Sequence, residues 1–323
     1  MTGGAEARRE AELAAFGGRG HDVVRPARAV GWRAPVVFAS PHSGDVYPPA
    51  FRAGSDQPLR VLARNADARV DDLFAGVTEL GAPLISARFP RCYVDANRAG
   101  DDLPPEWADA WEKGCSGHST PQEASLPASA YRADMGLGVV PLVIGERVGI
   151  YRHPPGVEAV RARLDALYRP YHGALADLLE EARSRFGRAV LVDCHSMPGF
   201  AAASVKGGRG NGAAPVRRAD IVLGDGHGTT ASADVVDRLE AAFERRGFRV
   251  VRNRPYAGGF STLHYGRPHS GVEAVQIEIN RDLYLNPATG RVKRGYGRLV
   301  VDLRGVCAEV IAGLAPDMRA AAE

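Results

Sequence analysis

The chain has 323 residues, 45% hydrophobic and 24% charged, so it can bury a sizeable core. Its 41 basic and 38 acidic side chains are interspersed and give a formal net charge of +3, which argues against nucleic-acid binding. The 4 cysteines form no CxxC pair, so we expect no disulfide framework and a reducing, cytoplasmic location. No stretch reaches the roughly 20 apolar residues of a spanning helix, so we expect no membrane association.

Short β-rich runs alternate with longer helical patterns along the chain. The predicted elements, in order, are a polar lead-in at 1–30, a strand at 34–40, a helix at 66–81, a strand at 82–89, a helix at 156–186, a strand at 188–194, a helix at 232–246, strands at 248–253 and 274–280, and a helix at 296–313. This alternation predicts a single α/β domain over 31–315, with a mixed, mostly parallel sheet and helices on both faces.

Two segments interrupt the alternation, at 100–138 and 200–218. Both are rich in Gly, Pro, Ser and Ala. Loops of this length inside a compact domain are usually active-site lids or disordered insertions, and both alternatives stay open here.

Ligands of α/β proteins gather at the carboxyl ends of the strands, so the residues after each strand are the most informative. The sequence SPHSGDVYP at 40–48 follows the first predicted strand. His42 and Asp45, three residues apart, can bind one zinc ion. The alternative is structural, with His42 bonding a turn and Asp45 capping the next segment.

A second histidine follows another strand, in VLVDCHSMP at 190–198. Asp193 lies on the same strand face as His195 and can orient its imidazole. A buried structural histidine is the alternative, but two histidines at the ends of two strands favour a metal site. Nucleophilic catalysis by Cys194 or Ser196 is less favoured, because strand neighbours point to opposite faces.

Polar and apolar residues alternate in VEAVQIEINRDLY at 272–284. Gln276, Glu278 and Asn280 therefore share one face of a β-branched strand. An edge strand with a solvated face would show the same pattern. A carboxylate near the interior of a sheet must be paired or used, however, so Glu278 is the candidate general base.

Two arginines lie in motifs that suit carboxylate binding. Arg98 ends CYVDANR at 92–98, and Arg152 lies in GIYRHP at 149–154. The planar guanidinium can donate two parallel hydrogen bonds to a carboxylate. A surface role is the alternative for each, and the DANR context favours Arg98.

Together these motifs resemble the N-formylglutamate amidohydrolase family. The matching segments, in the family's order across residues 36–285, are PHSG, DxxVDDLF at 67–74, RCYVDANR, GVVP followed by IYR, VDCHSMPG and QIEINRDLY. The resemblance implies a fold similar to the zinc carboxypeptidases and aspartoacylase. It also implies hydrolysis of an N-acyl amino acid, typically N-formyl-L-glutamate to L-glutamate and formate, as in histidine degradation.

The resemblance further implies roles for single residues. It gives His42 and His195 metal-ligand roles, Glu278 the acid/base role, and Asn97 with Arg98 a substrate-carboxylate role. The wider carboxypeptidase group has a glutamate three residues after the first histidine. This chain has the shorter Asp45 there, so Asp71 is the alternative third ligand.

We therefore expect an amidohydrolase that uses Zn²⁺ or another divalent metal and acts on a small-molecule substrate. Arg98, Arg152 and Gln276 are the expected substrate-binding residues, beside the general base Glu278. The alternatives are a hydrolase of other N-acyl amino acids or small peptides, and a non-catalytic binder of acidic metabolites. The sequence leaves the acyl group, the native metal and the oligomeric state open.

Overall fold

The structure is a computed structural model. It describes residues 2–17, 24–104, 107, 133, 135–145, 147–202, 204–205 and 217–316. Most of the predicted loops at 100–138 and 200–218 lies outside these described residues.

Most strands of the described residues belong to one sheet. The strands are β1 (Val24–Ala27), β2 (Val36–Ser40), β3 (Leu84–Ala87), β4 (Val143–Ile144), β5 (Val148–Gly149), β6 (Ala189–Met197), β7 (Ser204–Val205), β8 (Arg217–Arg218), β9 (Ile221–Gly224), β10 (Val250–Arg252) and β11 (Val272–Asn280). Seven of them form a sheet in the order β1-β3-β2-β6-β11-β9-β10, and the pairs β4-β5 and β7-β8 form two small hairpin sheets.

The sheet is mixed and mostly parallel, as predicted. β2 and β11 each pair with β6 in parallel, and β10 pairs with β9 in parallel. β9 runs antiparallel to β11. β6 is buried along its whole length, which explains its nearly continuous apolar sequence.

The described residues also form helices. They are α1 (Thr2–Ala14), α2 (Pro49–Ala53), α3 (Leu59–Leu62), α4 (Val70–Phe74), α5 (Val157–Arg163), a π-helical turn (Leu164–Tyr168), α6 (Arg169–Phe186), α7 (Ala233–Glu244), α8 (Phe260–Tyr265) and α9 (Tyr296–Leu314), with short 3-10 turns at Ala63–Asn65, Ala75–Val77, Pro268–Ser270 and Arg281–Leu283. α4 contacts β2 and β6, and α8 contacts β6 and β11. None of the described helices is both long and apolar enough to cross a bilayer.

One predicted helix is much shorter than expected. The pattern at 66–81 predicts a helix, but α4 begins at Val70 and is followed by a 3-10 turn at Ala75–Val77. Arg69, which precedes α4, has a left-handed backbone with φ of 63°. Because a right-handed helix cannot continue through that conformation, Asp67 lies outside the helix.

The chain forms two compact units. One comprises residues 1–25, 41–68 and 86–176, and in it α1 packs against α5 and the π-helical turn. The other comprises residues 26–40, 69–85 and 177–323 and contains β2, β6, β9, β10 and β11. The division into a lead-in at 1–30 and a domain at 31–315 stays a prediction.

Polar side chains interrupt the buried interior of the sheet on one face. β11 lies between β6 and β9 in the sheet order, so it is not an edge strand. Its register with β6 pairs Gln276 with Asp193 and Glu278 with His195. All four side chains are buried. Opposite residues of paired strands point to the same face, so these four polar groups lie side by side.

Candidate active site

His42, from the first motif, lies just after the end of β2, the strand that pairs with β6. Ala39 of β2 pairs with Asp193 of β6, and both strands run in the same direction. The chain therefore continues into His42 at the sheet end where His195 lies. Only glycine fits at position 44, because a Cβ there would collide with the carbonyl oxygen of Phe89.

Backbone contacts bring Asp67 to the same turn. Its N–H donates to the His42 carbonyl at 3.0 Å, and its own carbonyl accepts from Ser43 Oγ at 3.0 Å. Both bonds use the backbone of Asp67, so its position beside the His42 ring does not depend on the contacts of its own side chain.

His42, Asp67 and His195 form a buried group that could hold a metal ion. Each offers one ligand atom, and these atoms all lie within 4.8 Å of one another. His42 Nδ1 lies 3.4 Å from Asp67 Oδ2. Two ligands at about 2.0–2.1 Å from a tetrahedral zinc ion would lie about 3.3 Å apart. The donor set and its spacing therefore fit a zinc-like cation.

Each imidazole has a carboxylate on its other nitrogen. His42 Nε2 is 2.7 Å from Asp95 Oδ1, and His195 Nε2 is 3.0 Å from Asp193 Oδ2. Asp193 is fully buried, and within the described residues neither of its oxygens accepts a well-aligned hydrogen bond. The close contact with His195 Nε2 therefore offsets part of the free-energy cost of burying this charge. Outer carboxylates of this kind fix the tautomer and direct Nδ1 toward a metal.

Asp95 is held in its charged form. Burial raises its pKa, but the charges of Arg91, His42 and Arg98 outweigh burial and lower the pKa well below its usual range. Asp95 Oδ1 also accepts the backbone N–H of Asn97 at 2.9 Å. Asp95 belongs to the DANR motif, but no role was predicted for it from the sequence. Its position behind His42 is visible only in the fold.

The carboxylate in the metal group is Asp67, and neither Asp45 nor Asp71 belongs to it. Asp45, three residues after His42, is exposed. Asp71 is half-buried on α4, where Oδ1 accepts the N–H of Asp72. The structure thus favours a third ligand, Asp67, that was not predicted from the sequence. Asp67 is the first residue of the DxxVDDLF motif, and this position is the sequence signal that could have identified it.

Glu278 lies on the strand beside His195. The two are register partners on β11 and β6. Gln276 Nε2 donates to Glu278 Oε1 at 2.7 Å and so fixes the orientation of this buried carboxylate. Gln276 therefore orients Glu278, and its predicted contact with substrate stays a prediction.

The segment around Asn97 and Arg98 is anchored by polar contacts. Arg98 donates through Nε to the Leu137 carbonyl at 3.1 Å and through a terminal nitrogen to the Asn97 carbonyl at 2.9 Å. The Tyr168 hydroxyl donates to the Arg98 carbonyl at 2.8 Å. His172 Nε2 lies 3.0 Å from the Ala96 carbonyl. Asn97 and Arg98 therefore have fixed positions, and Asn97 is buried.

Arg152 has a different setting. Its side chain is exposed, and both Nε and a terminal nitrogen donate to Asp56 Oδ1. Within the described residues, its side chain pairs with Asp56 and with no other predicted site residue. The substrate role of Arg152 stays a prediction.

The alternative nucleophile Cys194 is poorly placed for catalysis. Burial raises the pKa of its thiol well above the usual value, and it lies on the strand face opposite to His195. A protonated, inaccessible thiol is a poor nucleophile.

The site combines two imidazoles and a carboxylate around one point with a second carboxylate on the next strand. This is the donor set of hydrolases that activate water at a divalent cation. A model of the N-formylglutamate amidohydrolase family matches residues 34–285. This chain therefore belongs to the N-formylglutamate amidohydrolase family, which is a family of enzymes. The resemblance seen in the sequence motifs is confirmed.

Curated relatives and a solved structure agree with this assignment. The N-formylglutamate deformylase of Pseudomonas putida is 27% identical over 256 residues, which are 78% of this chain and 82% of that protein. The N-formylglutamate deformylase of Pseudomonas aeruginosa is 28% identical over 257 residues, which are 79% and 83%. The crystal structure of N-formylglutamate amidohydrolase from Ralstonia eutropha matches with a TM-score of 0.75 and 31% identity, over 90% of this chain and 98% of that one.

Proposed function

We propose that this protein hydrolyses N-formyl-L-glutamate to L-glutamate and formate, with zinc or another divalent cation held by His42, Asp67 and His195. Membership of the family supports the reaction, and the buried group within 4.8 Å supports the cation. The observation that carries the proposal is the register of Glu278 with His195, because it sets a buried carboxylate beside a candidate ligand.

A bound divalent cation supplies Lewis-acid polarisation of the amide carbonyl and activation of water. Glu278 then acts as the general base that accepts a proton from the attacking water. A C–O bond forms at the formyl carbon and the C–N bond breaks. Glu278 returns its proton to the departing nitrogen, so one water is consumed and the carboxylate is regenerated.

The chain's other polar groups hold the reacting groups in place. Gln276 orients Glu278 through the 2.7 Å hydrogen bond to Oε1. Asp95 and Asp193 orient the two imidazoles. Arg98 beside Asn97 binds a carboxylate of the substrate, since its guanidinium is half-buried and held in place by the Leu137 carbonyl.

The proposed setting is histidine degradation in the cytoplasm, with a free N-acyl amino acid as the small-molecule substrate. Other N-acyl amino acids are the competing substrates, because pocket contacts decide the acyl group and side chain. A silent binder of acidic metabolites is disfavoured by a buried donor set for a cation next to a buried general base.

The direct test is Glu278→Gln, measured as formate release from N-formyl-L-glutamate and as zinc content. We expect turnover to fall by about 100- to 10,000-fold, the usual contribution of a general base, with zinc content unchanged. Glu273→Gln is the matched control on the same strand. Glu273 accepts the Ser232 N–H at 2.7 Å, which an amide oxygen can also do. Retained activity in Glu278→Gln would remove Glu278 from the reaction.

A further inference from the structure

We propose that the π-helical turn between α5 and α6 positions the substrate-binding segment of the active site, acting through Tyr168 and His172. The turn is Leu164–Tyr168, and the segment is residues 96–98, whose arginine binds a substrate carboxylate in the proposed function. The inference rests on that proposed function and deepens it, because it names two positioning residues for the carboxylate-binding arginine.

Tyr168 and His172 hold the main-chain carbonyls of the two neighbours of Asn97. The Tyr168 hydroxyl donates to the Arg98 carbonyl at 2.8 Å, and His172 Nε2 lies 3.0 Å from the Ala96 carbonyl. A carbonyl only accepts, so the second contact is a hydrogen bond when Nε2 carries the proton. The two rings support each other, with centroids 4.3 Å apart. Because both contacts are with the main chain, they set the position of the segment without using a side-chain donor of Asn97 or Arg98.

The spacing of the contacting residues explains why the helix contains a π-helical turn. Arg163 contacts the same stretch of chain, because its guanidinium carbon lies 4.0 Å from the centroid of the Tyr93 ring. In an α-helix of 3.6 residues per turn, side chains five residues apart point about 140° apart. The i→i+5 hydrogen bonds of a π-helical turn instead place residues five apart one turn from each other. The turn therefore brings Arg163 and Tyr168 to one face, and His172 follows one α-helical turn later.

Buried side chains fix the helix that carries these contacts. Arg163 is buried, and a terminal nitrogen of its guanidinium donates to the Tyr151 hydroxyl at 2.8 Å. Tyr171 is fully buried, and its ring meets the Phe89 ring edge-on with centroids 6.3 Å apart. A close-packed side chain of this size cannot shift without opening a cavity. The helix is therefore a rigid support for the substrate-binding segment.

The substrate-binding segment is linked to the candidate metal group through Asp95. Arg98 Nε lies 4.0 Å from Asp95 Oδ2, and Asp95 Oδ1 lies 2.7 Å from His42 Nε2. Asp95 has an anchor of its own, since its N–H donates to the Val139 carbonyl at 2.8 Å. Loss of either carbonyl contact should thus loosen the segment more than it loosens the histidine ligand. We therefore expect weaker substrate binding at a nearly unchanged metal site.

Steady-state kinetics with N-formyl-L-glutamate and zinc-affinity measurements compare the wild type with Tyr168→Phe, His172→Leu and His172→Gln. Tyr168→Phe and His172→Leu should each raise KM by about 3- to 10-fold, as expected for one hydrogen bond, with kcat and zinc affinity within about 2-fold of the wild type. His172→Gln should recover most of the loss, because its amide can donate to the same carbonyl. His153→Leu is the matched control, since His153 is exposed.

A double substitution shows whether the effect passes through Arg98. In an Arg98→Met background, Tyr168→Phe should raise KM by less than about 2-fold further, because residues that act as one unit are not additive. An equal KM rise in both backgrounds would overturn the positioning role. An unchanged KM in Tyr168→Phe and His172→Leu, or a loss of zinc affinity equal to the rise in KM, would overturn it as well.

If the wild type releases no formate from N-formyl-L-glutamate, the proposed function fails separately. The positioning role is then judged by amide hydrogen exchange over residues 96–100. Faster exchange there in Tyr168→Phe and His172→Leu, but not in His153→Leu, would support it. Exchange at the wild-type rate in all three variants would reject it.

Discussion

Asp67→Asn tests which carboxylate completes the metal group. The substitution is nearly isosteric, and the backbone bonds of residue 67 to His42 and Ser43 do not depend on its side chain. The variant should therefore fold. It would replace an anionic donor, 3.4 Å from His42 Nδ1, with a neutral amide.

The expected loss of zinc affinity can be bounded. Removing a partner behind a ligand typically weakens metal binding by about 10- to 100-fold. Losing a charged ligand itself should cost more than about 100-fold, or more than about 2.7 kcal/mol. Zinc affinity is measured by competition with a chromophoric chelator, after metal removal, with thermal unfolding as the check on folding.

Asp45→Asn and Asp71→Asn are the matched controls. Asp45 is exposed and Asp71 is bound to its own helix, so both variants should keep wild-type zinc affinity within about 3-fold. Wild-type affinity in Asp67→Asn, or a large loss in Asp45→Asn, would refute the assignment of Asp67.

Two further substitutions probe the neighbours of the site. Asp193→Asn should weaken zinc binding by about 10- to 100-fold, because Asp193 lies 3.0 Å from His195 Nε2 and orients that ring. Unchanged zinc affinity in the competition assay would exclude this orienting role. Cys194→Ala should leave kcat within about 2-fold of the wild type and cost about 1 kcal/mol of stability in denaturant unfolding, since the buried thiol serves packing. A collapse of kcat at wild-type zinc content would instead revive the thiol as a nucleophile.

Much of the fold follows from local sequence patterns. The runs VVFAS and AVLVDCHSM are apolar enough to form buried parallel strands, and they do so as β2 and β6. The four-residue strand IVLG (β9) was not predicted, because a run so short has no measurable periodicity. Its antiparallel pairing with β11 could not be foreseen either.

The candidate site was predictable only where strand geometry determines it. The strand ends bring His42 and His195 together, and the alternation in β11 sets Glu278 beside them. Asp67 was not predicted as a ligand because the sequence pattern placed it in a helix. The left-handed backbone of Arg69 makes the helix begin after Asp67. The ion pair of Arg152 with Asp56 is a tertiary contact with no sequence signature, and the substrate role of Arg152 stays a prediction.

Formate release by the purified wild-type protein, measured before and after metal removal, tests the central claim most directly. N-formyl-L-glutamate is assayed alongside N-acetyl-L-glutamate and neutral N-formyl amino acids. We expect turnover of N-formyl-L-glutamate that disappears on chelation and returns with one equivalent of zinc per chain. Full activity in the metal-free protein, or no turnover of any N-acyl amino acid by the zinc-loaded one, would contradict the account.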